Sequence, residues 1–218
     1  MADDDPSLTA LSALADPARR ALYHELERSH RALDRDELAE RTGLARATAA
    51  FHLERLVDAG VLVTTFAHRG DRRGPGSGRP AKFYAPAQDE LTASVPPRQY
   101  DLAAELLATA VERSAQTGEP ASECLLSVAA ERGREAGDPS RPLADALAAD
   151  GYEPTDDDDG GLRLANCPFH RLARGHTELI CSANLAYVHA LSEASGDDRE
   201  VWLQPDPAGC CVRVGPVG

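Results

Sequence analysis

Lysine is almost missing from this sequence. Lys82 is the only one, and the other 22 basic residues are arginine; a GC-rich genome and a high-salt proteome would both leave that skew. Aromatic residues make up 5% of the chain, with a single Trp and a single Met. No apolar run approaches the length of a membrane span. The opening MADDDPSLTA is acidic and unlike a signal peptide. Neither a membrane protein nor a secreted one is expected, and the expected location is the cytoplasm. Common catalytic signatures are also missing: there is no HExxH, no C-x-x-C, no nucleotide-binding Gly motif after a strand and no Ser-His elbow. The glycines from Gly70 to Gly78 have neither phosphate-loop nor dinucleotide spacing. These absences count against a small zinc or redox enzyme. There is no internal repeat.

What is present fits one large or two small domains: 218 residues, 42% of them hydrophobic. Net charge is −13, which taken whole argues against a nucleic-acid partner. The charge is unevenly spread, however. Residues 17–82 carry thirteen bases and nine acids, residues 1–16 four acids and no base, and residues 83–218 twenty-three acids and ten bases. A basic segment beside an acidic remainder is expected if one part meets phosphate and the other faces solvent.

The basic part centres on Asp34 to Tyr84. Asp16-Pro17 starts a helix there with a cap and a proline at its first position; Leu14, Ala18, Leu22 and Leu26 form its apolar stripe, and it ends near Ser29. Asp34 with Glu37 three residues on reads as a capping box for the next helix, with Leu38, Ala39 and Leu44 inward. Thr42-Gly43 suits a sharp turn. A further helix follows, in which Ala49, Leu53, Leu56 and Gly60 keep helical spacing and Val57 widens the stripe. Its other face carries Arg46, Ala47, Ala50, Phe51, Glu54 and Arg55. A helix with small residues and an Arg near its start can enter the DNA major groove, where base pairs are distinguishable. Val61 to His68 and Pro80 to Ala85 read as a two-stranded wing. Between them lie Arg69, Arg72, Arg73 and Arg79 among glycines, free to contact phosphate.

GLARATAAFHLERLVDAGVL followed by GPGSGRPAKFYAP resembles the winged helix-turn-helix regulators of the ArsR-like superfamily. The likeness spans roughly Asp16 to Ala87. It is nearest to the branch containing the repressors of iron–sulfur cluster assembly and their actinobacterial relatives. The resemblance implies a dimeric DNA-binding regulator. Many relatives place a Ser or Thr where this chain has Ala45, which removes an N-cap hydroxyl.

Ala85 to Pro97 reads as a linker interrupted by Pro86, Pro96 and Pro97. Tyr100 to Arg113 is expected to be helical, with an apolar stripe (Leu102, Leu106, Ala110) wide enough for a dimer contact or for packing on its own domain. Helices are expected over Ala121 to Arg134, Pro142 to Ala149 and Glu178 to Glu193. In the last of these, Leu179, Ala183, Ala186 and Ala190 share a face. Asp156 to Asp159 suits a solvated hairpin tip rather than a calcium loop. Val201 to Gln204 and Cys210 to Val214 are expected strands.

The five cysteines are Cys124, Cys167, Cys181, Cys210 and Cys211. An odd number without a secretion signal argues against a disulfide framework. Cys124 fits a core position. Cys167 and His170 are three apart, Cys181 follows Cys167 by fourteen and Cys210 follows Cys181 by twenty-nine. Thiolate and imidazole suit soft and borderline metals, though such wide gaps need tertiary folding to close. Adjacent strand residues face opposite ways, so Cys210 and Cys211 are not expected to ligate together without a bulge. NCPF, a Cys-bearing helix and a terminal CC are also features of the C-terminal domain of the resembled family. That resemblance implies an iron–sulfur cluster on Cys167, Cys181 and Cys210, with His170 or Cys211 as the fourth ligand. Zinc and plain core cysteines remain open.

The expected fold is α+β, mainly α: a winged helix-turn-helix DNA-binding domain over residues 1–92 and an α+β dimerisation and effector-sensing domain over 93–218. The expected function is a homodimeric, sequence-specific transcription regulator that binds double-stranded DNA, senses redox, iron–sulfur or metal status, and is not an enzyme. Arg46, Ala47, Ala50 and Phe51 would face bases, with His52 at the rim. Arg55, Arg69, Arg72, Arg73, Arg79 and Lys82 would meet phosphate or the minor groove. The alternatives are a regulator with a small organic effector and structural cysteines only, or an interaction adaptor that no longer binds DNA.

Overall fold

The computed structural model describes residues 6–68, 80–157, 160–206 and 209–215. Arg69, Arg72, Arg73 and Arg79 of the expected wing tip lie outside the described residues, as do Asp158 and Asp159 of the acidic run. The protein is α+β, and 55% of its described residues are helical. It forms two compact units, Met1–Ala93 and Ser94–Gly218, each around its own core.

In the first unit, α1 (Pro6–Ala13) leads into α2 (Pro17–Ser29). The Asp16 carboxylate accepts the N–H groups of Ala18 at 2.9 Å and Arg19 at 3.0 Å, satisfying donors that a helix start leaves open. β1 (Leu33–Asp34) runs directly into α3 (Arg35–Thr42). Asp34 therefore serves twice, as a strand residue and as a cap. Its Oδ1 accepts the N–H of Asp36 and of Glu37, while Glu37 Oε2 accepts the N–H of Asp34. Asp34 is buried, so replacing it by Ala loses a reciprocal cap that water cannot restore. Asp34→Ala is expected to cost about 2 kcal/mol, read as a lower urea midpoint.

Gly43 ends α3 at φ 70°, a backbone state that an L side chain resists, and turns the chain into α4 (Arg46–Asp58). Ala45 stands at the α4 N-cap without a side-chain hydrogen bond. Ala49, Leu53 and Leu56 are fully buried against Leu22, Leu26, Leu33 and Leu38. The apolar stripe does not reach Gly60 as the sequence spacing suggested. The helix ends at Asp58, and Gly60 is exposed at φ 71°, because the chain must reverse there to enter the wing. β2 (Leu62–Ala67) and β3 (Ala81–Pro86) pair antiparallel, and β1 joins the other edge of β3. Tyr84 of the central strand sits between Leu33 and Thr64 in register.

The second unit contains α5 (Tyr100–Thr117), α6 (Ala121–Ala136), α7 (Leu143–Ala149), β4 (Pro154–Asp156), β5 (Leu162–Leu164), α8 (His170–Gly175), α9 (Thr177–Ala194), β6 (Val201–Leu203) and β7 (Val212–Val214). The four strands form an antiparallel sheet in the order β4-β5-β7-β6. α9 packs on α6, α8 and the β6–β7 edge. Ile180, Ala183, Tyr187, Val188, Ala190 and Leu191 are all buried. The single apolar face expected from Leu179, Ala183, Ala186 and Ala190 is too narrow, because this helix is enclosed on several sides. Ala103, Leu106 and Ala110 of α5 are buried in the unit's own core, which leaves Val111 60% exposed.

Candidate nucleic-acid interface and thiol cluster

The outer face of α4 presents Arg46, Ala47, Thr48, Phe51, Glu54 and Arg55 to solvent, with Ala50 half-buried among them. Arg46 approaches Asp36 at 3.5 Å, an exposed pair that contributes little. The Arg55 guanidinium lies over the Phe51 ring, 5.5 Å from its centroid. His52 turns inward, its Nδ1 3.9 Å from an Asp16 oxygen. Lys82 is not free: its Nζ donates to both Glu54 oxygens, at 2.8 and 2.7 Å. Its ammonium holds the Glu54 carboxyl below the usual carboxylate range. Tyr84 OH also donates to Glu54, at 2.8 Å. Glu54 thus fastens the wing to α4, a role the sequence did not reveal. For Lys82 to meet phosphate it must first leave Glu54. Without residues 69–79, the stretch from 17 to 82 carries nine bases against eight acids. Its positive balance therefore comes almost entirely from Arg69, Arg72, Arg73 and Arg79.

In the second unit, four of the five cysteines meet in pairs. Cys210 neighbours Cys167 and Cys211 neighbours Cys181; the Cys167 charge also acts on Cys181. The Cys210 thiol, the Phe169 N–H and the Arg98 charge together bring the Cys167 thiol down to about 7. The neighbouring Cys167, together with burial, pushes Cys210 strongly up. Burial and the neighbouring Cys211 raise Cys181 to about 12. At neutral pH Cys167 is therefore readily ionised while Cys181 and Cys210 keep their protons.

Cys210 and Cys211 lie ahead of β7 rather than within it, so strand alternation does not govern them. Each has its own thiol neighbour, Cys167 for Cys210 and Cys181 for Cys211. The backbone N–H of Cys210 donates to Leu164 O at 2.9 Å, which anchors the pair beside β5. Asn184 Nδ2 contacts Cys210 Sγ at 3.2 Å, and its Oδ1 accepts the buried Tyr152 hydroxyl. The only sequence signal for Asn184 is a polar residue within an apolar helix. Arg98 Nη1 donates to Cys167 O at 2.8 Å, and Asn166 Nδ2 donates to Pro97 O at 2.9 Å and to Gly151 O. His170 begins α8 half-exposed and stands outside the thiol contacts. Cys124 is buried elsewhere in the core, its Sγ 3.8 Å from Glu119. Sulfur is a suitable donor for zinc or an iron–sulfur cluster. Yet among the described residues no three His, Cys, Asp or Glu side chains are placed to share a metal ion, and the thiols stand as two pairs.

Two helices joined by a left-handed glycine, an exposed second helix and a strand pair behind it define a winged helix-turn-helix unit, which supports a DNA-binding regulator of transcription. A helix-turn-helix domain family model matches residues 14–65, from the turn before α2 into β2. No curated protein and no solved structure matches the chain. No helix among the described residues is long and apolar enough to cross a membrane.

Proposed function

We propose that the protein is a homodimeric, sequence-specific transcription regulator whose second unit senses redox or metal status through Cys167, Cys181, Cys210 and Cys211. The observation that carries this reading is the gathering of four thiols from a span of 45 positions. Core packing alone does not require sulfur meeting sulfur twice. An iron–sulfur cluster or zinc held on these sulfurs would need the two pairs to close on one centre. The iron–sulfur branch of the resembled family remains the nearer analogy. Regulation follows from linkage: an effector that favours one dimer geometry shifts operator affinity by the same coupling free energy. An organic effector gains no support from the apolar cavity lined by Leu106, Leu125, Phe169, Ile180 and Tyr187, whose volume is about 20 Å³, room for about one water.

Anaerobic purification tests the sensing half. Wild type is expected to carry stoichiometric iron and sulfide, or zinc, and Cys167→Ser is expected to lose it, as read by visible absorbance and metal analysis. A colourless, metal-free wild type whose thiols titrate as five free groups before and after mild oxidation would remove the sensing role. A mobility shift with the protein's own upstream region tests the DNA half, and failure to retard any duplex would leave the adaptor reading.

A further inference from the structure

Phosphate contact leaves one side chain of α4 unexplained. Phe51 is 56% exposed, although burying a phenyl ring would stabilise the fold. The ring is nonetheless held in place. Arg55 covers it from one turn on, at 5.5 Å. His52 meets it edge-on, at a centroid distance of 5.3 Å and an interplanar angle of 72°. His52 is itself turned toward Asp16 at the start of α2. On the N-terminal side of the ring the outer face carries Ala47, Thr48 and Ala50, all short, while Glu54 and Arg55 follow one turn on. The ring therefore stands proud of the short side chains before it on the exposed second helix of the helix-turn-helix.

In the major groove the apolar group offered by a base edge is the thymine 5-methyl, which accepts contact from Ala, Thr methyl or Phe. A fixed apolar ring beside short side chains matches that group and no hydrogen-bonding base edge. We propose that Phe51 is a specificity-determining residue that reads the 5-methyl group of a thymine in each operator half-site; this rests on the DNA-binding function proposed above.

The test uses the full-length protein and a duplex selected by it from a random pool. Each thymine of the selected site is replaced in turn by deoxyuridine, which removes only the methyl. Dissociation constants are measured for wild type, Phe51→Ala and Phe51→Leu. At one thymine per half-site, wild type is expected to lose about fourfold in affinity, the worth of one buried methyl-sized group. Phe51→Ala should bind the thymine and uracil duplexes equally at that position, and Phe51→Leu should keep part of the difference. Uracil sensitivity that is unchanged in Phe51→Ala, or no sensitive thymine in wild type, overturns the proposal while DNA binding stands. Selection that yields no bound duplex overturns both. If Phe51→Ala instead lowers the sedimenting mass of the free protein, the ring belongs to a contact between copies and the proposal falls.

Discussion

Replacing Arg72 and Arg73 together by Ala is expected to weaken binding to every duplex alike, by roughly 30-fold at 0.15 M salt, and to lower the salt slope by about 2. The reason lies in the charges around α4. Lys82 is paired with Glu54, Arg31 with Glu37, Arg28 with Glu25 and Arg46 with Asp36. Exposed pairs of this kind add little to stability, but they cancel charge that phosphate would otherwise meet. The acidic remainder of the chain repels DNA at long range. Attraction is therefore expected to depend largely on the arginines between β2 and β3, which supply most of the positive balance of residues 17–82. Titrations of one operator duplex and one unrelated duplex from 50 to 300 mM salt measure both quantities. A slope that does not change in the double variant would move the phosphate contacts elsewhere.

Gly133→Ala is expected to be the most damaging single methyl added to the second unit. A Cβ at Gly133 would lie 2.2 Å from Tyr187 O and 3.1 Å from Leu191 N, both backbone atoms of α9. Backbone cannot step aside as a flexible side chain can, so α6 and α9 must separate. Overpacking of this kind costs about 3 kcal/mol, a large part of an ordinary domain's stability. α9 also carries Cys181 and Asn184, so the separation should loosen both thiol pairs. Urea unfolding followed by the single Trp202 is expected to show the lower midpoint, and a thiol reagent should react faster with the folded variant. Gly175→Ala is the control, since a Cβ there meets nothing within 4 Å. Equal midpoints for the two variants would contradict the close approach of these helices.

The parts legible in the sequence are those with a local physical cause. Asp16-Pro17 and Asp34 with Glu37 announce helix starts through hydrogen bonds that span two or three residues. Leu53 and Leu56 announce the buried face of α4 through spacing alone. β1 has no such cause. Two residues become a strand only because Leu33 and Asp34 find Tyr84 and Phe83 about fifty positions later. α8 is six residues long with Phe169 at its N-cap and no capping side chain, so neither period nor cap marks it. α1 likewise buries only Ala10. At the candidate sites, residue type and exposure were legible while partners were not. Lys82 reads as an unpaired cation until Glu54 is seen across the wing. Cys210 and Cys211 read as alternating strand residues until β7 is found to start at Val212. Which thiol faces which is decided by the β5–β7 register and the seat of α9, and no spacing along the chain encodes that.

The chain enters its second unit through Pro97 and Arg98, and both are stitched to the loop that carries Cys167. Asn166 holds the carbonyl of Pro97, and Arg98 holds the carbonyl of Cys167 itself. Gly151 closes the stitch, its α-carbon so near Pro97 that an added methyl would sit 2.8 Å from the ring. If the sulfur changes state, as proposed above, these hydrogen bonds are the first it would reach. Its nearest effect would fall on Pro97 and Arg98, at the start of the second unit.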